Sequence, residues 1–71
     1  VSEKIETLGD ALPKVMAHVR DVIVPEYIRI GPAGAFGLAM IRADLDAATR
    51  ALATGDLPAM IVAYEALKAI E

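Results

Sequence analysis

Apolar residues recur along this chain at helical intervals. Ile5, Leu8, Leu12, Val15, Val19 and Val22 are separated by 3, 4, 3, 4 and 3 positions, which is one stripe of a helix. Ser2 is a candidate N-cap, and Glu3 and Glu6 stand near the positive end of the helix dipole. Pro13 falls inside this segment while the stripe continues in phase across it. A proline ring clashes with the carbonyl four residues back, which here belongs to Gly9. The expectation is a kinked helix in which Gly9 makes room for the ring, with a break at Gly9–Asp10 as the alternative.

Residues 22–30 read in more than one way. Val22 to Val24 and Tyr27 to Ile30 suit a short strand pair by composition. Val19, Ile23, Tyr27 and Ile30 nevertheless keep helical spacing, and Gly31 followed by Pro32 is a stop signal. Pro25 biases Val24 away from the helical region. A second bend or a short separate helix is the expected outcome.

Beyond the glycines, Leu38, Ile41, Leu45, Ala48 and Leu52 step again by 3 and 4. Phe36, Met40, Ala43, Ala47 and Ala51 form a second apolar line on nearly the opposite side. Charges gather on Arg42, Asp46 and Arg50, an i, i+4, i+8 ladder of alternating sign. Gly55, Asp56 and Pro58 then mark a boundary: a helix-ending glycine, an N-cap and a first-turn proline. The last segment, 57–71, carries only Glu65, Lys68 and Glu71 as charges.

The pair 38–54 and 57–71 resembles one tetratricopeptide hairpin through Ala48, the Gly55–Asp56 turn and Tyr64. The likeness covers about half the chain and departs from the pattern at Asp44, where a large apolar residue is expected. A solenoid needs about three repeats or more, so one hairpin implies shared construction and no superhelix.

These patterns predict an all-α chain, a single domain over 1–71. About three helices are expected: 3–30 bent at Pro13 and Pro25, then 33–54 and 57–71 as an antiparallel hairpin. Composition adds a further expectation. Hydrophobic residues make up 56% of the chain, against roughly 45–50% in soluble domains. A chain of 71 residues has much surface for its volume and little core. Cysteine is absent, so no disulfide supplements that core. Self-association is therefore expected, a two-fold dimer first and a tetramer second. The expected interface comprises Phe36, Met40, Ala43, Ala47 and Ala51, with Ile61 and Tyr64 from the last helix.

Seven Lys and Arg against ten Asp and Glu leave a net charge of −3, and one Phe, two Tyr and no Trp offer little for base stacking. Nucleic-acid binding is not expected. The longest uncharged run, Ile30 to Ile41, has twelve residues including three glycines and a proline, too few for a span of about 20. With no leader pattern at its start, the chain is expected to be cytoplasmic and not bound to a membrane.

The most chemistry-like stretch is "IRIGPAGAFGLAMIRADL" at 28–45. Its glycines fit neither the dinucleotide fingerprint nor the P-loop. Two readings remain. Arg29, Gly34, Arg42 and Arg50 are candidates for holding an anion near a helix start. Alternatively, Gly31 caps one helix, Pro32 starts the next, and Gly34 and Gly37 permit close packing.

His18 stands three residues from Asp21, a spacing that suits a base and its orienting carboxylate, but no nucleophile is near in sequence. Asp44 and Asp46 lie two apart and do not share a helix face. Asp44 between the apolar lines requires a partner, Arg20 or Arg29, or a place at the rim. No catalytic residue, metal site or cofactor is expected. The composition points to a non-enzymatic interaction protein of the inhibitor, adaptor or assembly-factor type, a class that includes phage-borne chains, whose partner is another protein. The alternative is a binder of a small anionic ligand or nucleotide between protomers.

Overall fold

The computed structural model describes residues 7–71, and it is helical almost throughout, with no strand among the described residues. Four α-helical segments follow one another: α1 (Leu8–His18), α2 (Val24–Ile30), α3 (Ala35–Thr54) and α4 (Leu57–Ile70). A π-helical turn, Val19–Ile23, joins α1 to α2, and a 3-10 turn, Gly31–Gly34, joins α2 to α3. Ser2, Glu3, Ile5 and Glu6 lie outside the described residues.

Thr7 caps α1. Its hydroxyl accepts a hydrogen bond from the Asp10 amide at 3.2 Å, satisfying one of the donors a helix start leaves open. Pro13 sits inside a continuous helix, as expected, and the alternative of a break at Gly9–Asp10 is not present. Nor does Gly9 make room for the proline ring. A Cβ built on Gly9 meets only the Thr7 hydroxyl, at an ordinary 3.8 Å.

The irregularity falls nearer the second proline. Pro25 has no N–H to offer the carbonyl of Asp21, and its ring crowds that carbonyl. The chain answers with a wider turn, in which the Val24 amide donates to Val19, five residues back. Val24 itself stays helical at φ −57°, ψ −46°, against the bias that a following proline imposes. Residues 22–30 are therefore π turn and helix, not strand or loop. The extra residue per turn shifts the stripe. Ile23, rather than the expected Val22, packs against the core, and Val22 is exposed.

Gly31 ends α2 at φ 77°, a conformation that glycine adopts without cost. Gly55 ends α3 at φ 68°. There the Asp56 amide donates to Ala51 and the Gly55 amide to Leu52, the paired bonds of a Schellman turn. Asp56 then caps α4, its carboxylate accepting from the Ala59 amide at 3.1 Å.

The core forms where three stripes meet: Leu12, Val15 and Val19; Ile41, Ala48 and Ala51; Met60, Ala63 and Leu67. α3 and α4 make the hairpin, and α1 lies along α4. Ala11 and Tyr64 share one groove and His18 meets Glu71, so α1 and α4 run in the same direction. α2 folds onto the start of α3. No helix among the described residues is long and apolar enough to cross a membrane.

Candidate functional site

The inner line of α3 faces the core and leaves its other line outside. Phe36 is 78% exposed and Met40 53%, one turn apart on the same side of the helix. Ala43 and Ala47 continue that line in solvent. Ala51, expected at its end, does not belong to it: at 3% exposure it is part of the chain's own core. At 100° per residue the last step of four carries Ala51 about 40° further round the helix than Ala47, toward the contact with α4. On α4, Ile61 is exposed with Leu57 and Val62. Tyr64 is half-buried against the core and turns toward α1.

The arginine and glycine candidates do not gather at one point. Gly34 is buried, and a Cβ there would lie 2.7 Å from the Tyr27 carbonyl oxygen. The space in front of it thus already holds a negative dipole end. Arg29 pairs with Glu26. Arg50 pairs with Asp46 one turn back, as the ladder implies. Arg42 is exposed, two turns from Arg50. Gly34 and Gly37 allow close packing of α2 on α3: at Gly37 an added Cβ would meet Tyr27 Cε2 at 2.6 Å.

His18 is not oriented by Asp21. Asp21 takes the Arg20 guanidinium at 3.0 Å, whereas His18 Nδ1 lies 3.0 Å from the Glu71 carboxylate. Lys68 donates to the other oxygen of Glu71 at 2.7 Å. This hydrogen bond raises the Lys68 pKa and holds the Glu71 carboxyl below its usual range. Beside them a groove of about 180 Å³ is lined by Ala11, Lys14, Val15, Tyr64, Lys68 and Glu71. Small-molecule pockets usually span about 300–1,000 Å³. The groove unites residues some fifty positions apart in sequence, so no local motif announced it.

Asp44 is half-buried, with Arg20 and Arg29 engaged elsewhere. No group of three or more His, Cys, Asp and Glu among the described residues is placed to hold a metal ion. In comparison with known proteins, no family model, no curated protein and no solved structure matches this chain.

Proposed function

We propose that this chain is a non-enzymatic interaction protein of the inhibitor, adaptor or assembly-factor type, working as a homo-oligomer of helical units. A three-helix count, taking residues 8–30 as one bent rod, fits such a unit. The observation that carries the reading is the exposure of Phe36 and Met40 on one face of α3. Single exposed apolar residues are ordinary; a large aromatic with a thioether beside it and alanines beyond is a patch that marks a contact surface. Leu57, Ile61 and Val62 add a second exposed group at the start of α4, which suits a further protein partner.

The test is a mass measurement. Light scattering at micromolar concentration is expected to give at least twice the 7.5 kDa of the chain. Phe36→Asp lowers that mass while the far-ultraviolet circular dichroism of the helices persists, because the position is exposed in the protomer. A monomeric unmodified chain refutes the proposal.

The anionic-ligand reading has less support. Two of its three arginines are ion-paired within the chain, and its glycine faces a carbonyl oxygen. Its test is a thermal-shift screen with nucleotides and phosphorylated metabolites, since a specific ligand raises the melting temperature.

A further inference from the structure

We infer that α2, with the turns on either side of it, is a flap that opens as a unit while α1, α3 and α4 stay packed. The device lies within one chain and is independent of the homo-oligomer reading above.

Burial sets the segment apart. The buried apolar residues of the core come from α1, the first position of the π turn, α3 and α4, and α2 supplies none. Of its seven residues, Val24 and Tyr27 are half-buried and the other five are exposed. The segment is bracketed by two core residues, Val19 at 0% exposure and Ile41 at 2%. The core that holds these two can close without α2.

A hinge stands at each end. On one side Pro25 has no N–H for the Asp21 carbonyl, and the π turn at Val19–Ile23 carries the chain past that gap. On the other, Gly31 sits at φ 77°, where a residue without a Cβ changes backbone region at little steric cost. No side-chain cap secures the start of the π turn, of α2 or of the 3-10 turn.

The fastening is small. The Tyr27 ring lies on Gly37, and Ile23 and Val24 pack at the edge of the core. The Glu26–Arg29 ion pair lies within α2, so it travels with the flap and does not hold it shut. One ring and two aliphatic side chains, all partly exposed, are weak beside the fully buried Leu12, Val19 and Leu67. Elements with few buried contacts open at a lower free energy than the whole fold. Opening bares Ile23, Val24 and Tyr27 next to Val22, Ile28 and Ile30, which are exposed already. The flap thus sets how much apolar surface this end of the molecule shows.

Amide hydrogen exchange of the full chain, read by NMR across low urea concentrations, tests the flap. The amides of residues 26–30 are expected to be protected about tenfold or more below those of Val15, Ile41, Ala48 and Leu67. They share one urea dependence, shallower than that of the core, because a partial opening exposes less surface. Variants separate the two openings. Asp56→Ala removes a cap that persists while the flap is open. It lowers core protection about fivefold and leaves that of α2 unchanged. Tyr27→Ala weakens the closed state itself, so protection falls in α2 and in the core together. The urea series needs only the unmodified chain, so it decides the matter if a variant fails to fold. Three results overturn the flap: one protection level and one urea slope for α2 and the core, α2 amides without protection or without urea dependence, or an equal fall in both regions on Asp56→Ala.

Discussion

The ring of Tyr27 lies on the bare backbone of Gly37, where a Cβ would stand 2.6 Å from its Cε2 atom. Two residues ten apart in sequence thus clamp α2 against the start of α3, and the intervening turn at Gly31–Gly34 is drawn so tight that a Cβ on Gly34 would stand 2.7 Å from the Tyr27 carbonyl oxygen. This clamp accounts for the glycine-rich stretch without any ligand.

Gly34→Ala and Gly37→Ala are accordingly both destabilising. Overpacking costs about 1–3 kcal/mol, and Gly34→Ala is the worse of the two. Its methyl meets a backbone carbonyl, whereas at Gly37 a side chain can swing aside. Thermal melts read by circular dichroism check the order. A loss of 1 kcal/mol moves the midpoint by roughly 4–8 °C in a domain of this size.

Gly9→Ala acts in the opposite direction. The position is exposed, within α1, with no close contact for a Cβ. Alanine is preferred over glycine in a helix by about 0.5–1 kcal/mol. The melting temperature is expected to rise. A fall instead indicates that Pro13 strains the helix at Gly9.

Loss of the Asp56 cap is expected to cost about 1 kcal/mol on Asp56→Ala, with a similar cost for Thr7→Ala. Asp56→Asn, which keeps a side-chain acceptor for the Ala59 amide, is expected to recover most of the stability in a urea titration.

The Lys68–Glu71 contact sets a pH window. Glu71 has its pKa lowered from the ordinary 4.5 chiefly by the hydrogen bond from Lys68, outweighing partial desolvation. A carboxyl held low stabilises the fold above its unfolded pKa, and that contribution is lost as pH falls through the lowered folded value. Lys68, raised above 10.5 by the same bond, contributes below 10.5 and loses its share as pH rises through the folded value. Both groups are exposed, so the effect is small. Glu71→Gln is expected to flatten the acid limb of the melting temperature below about pH 5, and carbon-detected NMR titration of Glu71 gives a midpoint below 4.5.

Periodicity alone determined most of the core. Leu12, Val15 and Val19, then Ile41 and Ala48, fall on stripes readable at steps of 3 and 4, because an amphipathic helix writes its buried face into the spacing of its apolar residues. The end of α3 was equally legible, since Gly55 and Asp56 act through local backbone bonds. What lay beyond the sequence was set by relations between segments. The Pro25 strain was visible, but only the packed chain chose a π turn over a break, with Ile23, Val24 and Tyr27 packed against the core to hold the helix together. Ala51 looked like part of the outer line until α4 took that side of the helix. His18 found Glu71 rather than Asp21 because α1 and α4 run side by side, and no spacing within one helix encodes its neighbour. Local grammar fixes where helices begin, end and turn apolar; which groups meet across them is decided by the closing of the fold.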